Sequence, residues 1–120
     1  MNKIITIGEK QYNMKASAYT QFKYKNDTGR KLMQDIKRIT EIRTSGMDVL
    51  EDLDELLEIL LQLTYVMIEE ADPKQVGSFD QFLKETTDLF EDESWINDVV
   101  ELAVTPLRRG NKKNPQQINN

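Results

Sequence analysis

Six carboxylates, on Asp48, Glu51, Asp52, Asp54, Glu55 and Glu58, form the densest array of possible ligand oxygens in the sequence. Hard cations such as Ca²⁺ take several oxygens of this kind. A calcium loop, however, needs a D-x-D-x-D-G type of turn closed by a distal Glu, and here the carboxylates alternate with Leu50, Leu53, Leu56 and Leu57. That helical spacing turns the leucines to a core and the carboxylates to water. Thr64 and Tyr65 offer hydroxyls, but a nucleophile needs a neighbouring base, and the chain has no His and no Cys. The imidazole base, the thiolate and the commonest transition-metal ligands are thereby removed. Phe79, Phe90 and Trp95 are candidates for a ligand pocket, although aromatic residues at helical spacing belong first to a core or an interface. Tyr19, Phe22 and Tyr24, set among the cations of residues 15–43, resemble a stacking surface for nucleic acid, which the acidic segment that follows would oppose. No catalytic, cofactor-binding or metal-binding residue is assigned, and the chain is not expected to be an enzyme.

The elements that would carry these side chains follow from periodicity. Residues 4–7 and 11–15, about a turn at Gly8-Glu9-Lys10, predict a β-hairpin. Such a hairpin is marginal alone, so Ile5, Ile7, Tyr12 and Met14 are expected to pack on helices. A short helix is expected over residues 16–24, broken by Asn26-Asp27-Thr28-Gly29. From Arg30 onward Leu32, Met33, Ile36, Ile39 and Ile42 recur at helical spacing, with Asp27 or Thr28 as the cap and Thr44-Ser45-Gly46 as the stop. A long helix should open at Asp48 and end before Pro73. Over residues 56–68 it is apolar on most of its circumference, more than one core face requires. Ser78-x-x-Gln81 has the capping-box pattern and precedes Phe82, Leu83, Thr86, Leu89 and Phe90. Ser94 should cap a last helix that turns Trp95, Ile96, Val99, Val100, Leu102 and Ala103 inward before Pro106. The predicted fold is mainly α: a small N-terminal β-hairpin followed by a bundle of about four or five helices, one domain over residues 1–107, with residues 108–120 as a flexible basic tail.

Charge is segregated along the chain. Residues 1–47 carry ten Lys/Arg against four Asp/Glu, net +6; residues 48–104 carry two against seventeen, net −15; residues 105–120 carry four and none, net +4. The basic and acidic segments should attract each other, within one chain or between subunits. Phosphate would be repelled by the acidic one over a Debye length of about 8 Å. The apolar stretch, interrupted by Glu58 and Gln62, falls short of the roughly 20 residues that span a bilayer. Met1-Asn2-Lys3-Ile4-Ile5, soon followed by Glu9 and Lys10, lacks the apolar run of a signal peptide. With no Cys, the expected location is the cytoplasm.

The pattern Ile4-Ile5-Thr6-Ile7-Gly8-Glu9-Lys10-Gln11-Tyr12-Asn13-Met14-Lys15-Ala16-Ser17-Ala18, then Phe22-Lys23-Tyr24 and Gly29-Arg30-Lys31-Leu32, resembles the opening of a known family. These are the tail assembly chaperones of long, non-contractile-tailed phages and prophages of Gram-positive bacteria. The likeness continues in style through the apolar helix and the aromatic helices as far as Leu107. It implies an N-terminal hairpin with helices, no catalysis, and binding to the tape measure protein while the tail tube assembles around it. The protein would then act in the host cytoplasm and be missing from the finished virion. It also implies a longer product made by translational frameshifting, which would recruit tail tube protein; Lys112-Lys113 is a candidate position for the slippery codons.

The resemblance carries no motif whose residues transfer one by one. From the residues themselves, Leu57, Leu61, Tyr65, Ile68, Phe82 and Phe90 are the expected partner-facing positions, because grooves that bind helical peptides use such apolar helices. A homo-oligomer would use the same excess of apolar surface. The reading from another class is an acidic nucleic-acid mimic or inhibitor that captures a basic partner through its charge field.

Overall fold

The structure, a computed structural model, describes residues 1–45, 50–86 and 92–107. The expected helix opening at Asp48, the stop at Gly46, the core positions Leu89 and Phe90, and the basic tail lie outside those residues.

Strands β1 (Asn2–Ile7) and β2 (Lys10–Lys15) form an antiparallel hairpin in which Ile7 faces Lys10. Only Gly8 and Glu9 remain for the turn, and Gly8 supplies the left-handed backbone, φ 62°, that so tight a reversal needs. Alternation puts Ile5, Ile7, Tyr12 and Met14 on one face, and all four are buried as expected.

Helix α1 (Thr20–Thr28) runs later than the sequence pattern suggested. Ser17 N–H donates to Thr20 Oγ1 at 2.8 Å and holds the start. Asn26 and Asp27 do not break the helix: Thr28 Oγ1 donates to Tyr24 O, and the break comes at Gly29, φ 76°, whose N–H donates to Lys25 O. Helix α2 (Leu32–Thr44) begins after an extended Lys31 with no side-chain cap. Neither Asp27 nor Thr28 caps it, since the Thr28 hydroxyl is engaged at the end of α1 and accepts from Arg30 N–H. Leu32, Ile36, Ile39 and Ile42 are buried, whereas Met33 is exposed.

Helix α3 (Leu50–Ala71) is the central element. Asp72, extended ahead of Pro73, ends it and starts a 3₁₀ turn, Pro73–Gln75, by accepting Lys74 N–H. Leu56, Ile59, Leu60, Leu63, Val66, Met67 and Ile68 are buried, because β2, α1 and α2 pack against different sides of α3 together with two later helices. The apolar excess is thus largely absorbed by the chain's own core. Helix α4 (Phe79–Glu85) has Ser78 at its cap, accepting Gln81 N–H. Phe82 is buried, but Leu83, expected on the same face, is partly exposed. Helix α5 (Ser94–Val104) starts one residue before the expected cap allowed: Glu93 holds the cap position, and Ser94 is helical, its N–H donating to Asp92. Trp95, Ile96, Val99, Leu102 and Ala103 are buried and Val100 is half-buried. A 3₁₀ turn, Thr105–Leu107, follows at Pro106. No helix among the described residues is long and apolar enough to cross a membrane.

Candidate protein-binding groove

One side of α3 is left incompletely covered. Leu57, Leu61 and Tyr65, one helical turn apart, are half-buried on that side, and Glu58, Gln62 and Glu69 flank them. Leu61 and Tyr65 rest on the core without being enclosed by it. Ile68 and Phe82, expected to face a partner, do not: each is no more than 1 % exposed. Ile68 lies on the side of α3 turned to the core, and Phe82 packs its ring on Tyr12 at 5.9 Å. Phe90 lies outside the described residues.

At the Tyr65 end the stripe opens into a cleft of about 290 Å³. Asp27 and Thr28 from the end of α1 form one wall, Gln62, Tyr65, Val66 and Glu69 the floor, and Phe79 of α4 the far side. The aromatic residues are fixed by one another: Tyr65 and Phe79 meet edge-to-face at 5.2 Å, and Tyr65 lies 5.6 Å from Phe82. The Tyr65 hydroxyl donates to Gly77 O at 2.7 Å, and burial, reinforced by Glu69, pushes its pKa up. At the rim Lys23 bridges Asp27 at 2.8 Å and Glu69 at 3.3 Å. Burial works against the Lys23 charge, yet the two hydrogen bonds raise its pKa above the ordinary lysine value.

Gln62 Oε1 is buried in this floor without a hydrogen-bond partner. An unpaired buried carbonyl costs desolvation energy that a donor from outside would recover. The sequence held a signal for it, a polar residue within the apolar run at one turn from Glu58, but periodicity alone says nothing about whether its amide is paired. Trp95, buried in α5, does not join Phe79 in lining this cleft.

Six carboxylates of the acidic segment pair with cations of the basic one. Arg38 of α2 reaches Asp52 at 3.1 Å and Glu55 at 2.8 Å, which holds the Glu55 carboxyl below its ordinary pKa. Arg30 approaches Glu58 at 3.6 Å, Lys10 pairs with Glu85 and Lys3 with Asp98. The attraction expected between the two segments is realised within one chain. Among the described residues, no group of three or more His, Cys, Asp or Glu side chains converges as a metal site would require. The Thr64 hydroxyl donates to Leu60 O at 2.6 Å, so it is engaged by its own helix. No family model matches this chain, and neither a curated protein nor a solved structure aligns with it significantly.

Proposed function

We propose that the protein is a non-catalytic binding protein that holds an apolar helix of another protein along the Leu57–Leu61–Tyr65 stripe, and that this partner is a phage tape measure protein. The observation that carries the reading is the stripe itself: three large side chains at one-turn spacing left half-covered, leading into a cleft whose floor holds an unpaired carbonyl. Grooves that receive amphipathic helices are read by anchors at this spacing. A long helical tape measure, with apolar faces exposed until tube subunits cover them, is a partner in need of such shielding. The choice of partner is supported only by the resemblance of the N-terminal pattern to tail assembly chaperones. On this reading the protein works in the bacterial host cytoplasm, and a frameshifted longer form brings in tail tube protein.

The test is co-expression with the tape measure protein followed by pull-down and titration. Leu57→Glu combined with Leu61→Glu should weaken capture by at least about tenfold, while helix content and unfolding midpoint confirm a folded chain. Undiminished capture by that variant overturns the reading. Ile68→Glu is not a usable probe, because a charge at a fully buried site unfolds the domain whatever it binds.

A further inference from the structure

The two edges of the hairpin are treated differently. In β2 the edge is closed by a side chain: Asn13 N–H donates to Gln75 Oε1, and Gln75 Nε2 donates to Asn13 O, both at 2.8 Å. Gln75 occupies the place of a neighbouring strand. Since Asn13 faces Ile4 in the register, and facing residues in an antiparallel pair direct their main-chain groups either both inward or both outward, the groups of Ile4 also point away from β2. The reciprocal bonds between Met1 and Ala16 fix the same parity, with odd residues bonded inward. Asn2, Ile4 and Thr6 therefore present their N–H and C=O groups on the outer edge of β1. Among the described residues none of these groups has a hydrogen-bond partner, and Ile4 is 64 % exposed.

Sheet edges of this kind are normally blunted by charge, proline or a covering element. Here the outward positions carry no charge, and the only Lys in the strand, Lys3, is directed to Asp98 of α5. We infer that the outer edge of β1 pairs with the β1 of a second copy of this chain, the two strands running antiparallel about Ile4 to make a four-stranded sheet. The sequence is self-complementary in that register: Ile4 meets the partner's Ile4, and Asn2 and Thr6 face each other across the two-fold axis. Three facing pairs would form about six main-chain hydrogen bonds, and the contact closes on itself without leaving a further edge of the same kind.

Sedimentation equilibrium over a range of concentrations, joined to amide hydrogen exchange, tests the inference. The wild-type chain should reach twice its monomer mass, with slowed exchange at Asn2, Ile4 and Thr6 in the dimer. Ile4→Pro removes an N–H that β2 does not use and should give a monomer with unchanged helix content. Should that variant fail to fold, Ile4→Lys keeps the N–H and blocks the edge by charge, with the same expected loss. A monomer at every concentration, a dimer that survives both substitutions, or free exchange at those amides within the dimer would each overturn it. Protection of the same amides only when a fragment of the tape measure is added would assign the edge to that protein instead.

Discussion

Tyr24 and Asp35 are the polar side chains on which the interior most depends. Tyr24 is fully buried and donates its hydroxyl to Asp35 Oδ2 at 2.5 Å, while Arg30 reaches both oxygens of the same carboxylate from Nε at 2.8 Å and Nη2 at 3.2 Å. Burial, then the bond to Asp35 and its charge, push the Tyr24 phenol far above its ordinary value. A phenol that must stay protonated in the folded state contributes stability that is fully present below the unfolded pKa of about 10 and lost as pH rises beyond it. Tyr24→Phe should accordingly cost about 1–2 kcal/mol near neutral pH through the lost hydrogen bond, and should flatten the decline above pH about 10, which urea unfolding at stepped pH measures. The slope will not vanish, since Tyr12 and Tyr65 are also raised by burial. At the acid end the sign reverses. Glu55, held down by Arg38, contributes above the ordinary carboxylate range and loses that contribution as pH falls through its lowered value, by a small amount because the pair is open to solvent.

Gln75 acts at the level of elements, tying the turn after α3 to the edge of β2. Gln75→Ala should lower stability by about 1 kcal/mol, the net worth of two exposed hydrogen bonds, and should increase aggregation on concentration because the second sheet edge is then bare; light scattering against the wild type reads the latter. Ile68→Ala and Leu57→Ala separate core from groove: the first should cost about 2–4 kcal/mol in a urea titration, the second under about 1 kcal/mol. Gln75 could not be found from sequence, since its partner Asn13 lies far along the chain and nothing local marks the pair. Elements with a strong period were legible. The inward alternation of Ile5, Ile7, Tyr12 and Met14 and the end of α3 before Pro73 were both readable from residue type alone. Short helices were less so: in α4, only Phe79–Glu85, Phe82 is buried while Leu83 is exposed. In α1 the polar Asn26 and Asp27 continue the helix, because termination is decided by the left-handed Gly29 rather than by polarity. Of the candidate site, the apolar excess of Leu57, Leu61 and Tyr65 was legible and these residues are half-buried on one side of α3, but which side of α3 stays open depends on how β2, α1, α2, α4 and α5 share its circumference.

At the scale of the whole molecule the segregated charge bears on the choice between the proposed hydrophobic chaperone and an acidic mimic. A mimic needs its carboxylates free to receive a basic partner, and its binding falls steeply with salt as ions are exchanged. In this fold six of those carboxylates already have cations of the basic segment: Lys23 holds Glu69, Arg30 approaches Glu58, Arg38 clamps Asp52 and Glu55, and Lys3 and Lys10 reach Asp98 and Glu85. A partner that came for those carboxylates would have to displace intramolecular cations, whose effective concentration is high. The stripe on α3 asks for nothing of the kind, since burial of Leu57, Leu61 and Tyr65 against an apolar helix is insensitive to screening. Capture of the tape measure protein should therefore change by less than about threefold between roughly 50 mM and 500 mM salt, where an interface neutralising several charges would lose orders of magnitude. Titration calorimetry at the two salt concentrations gives the answer, and a steep loss would overturn the proposed stripe in favour of the acidic mimic.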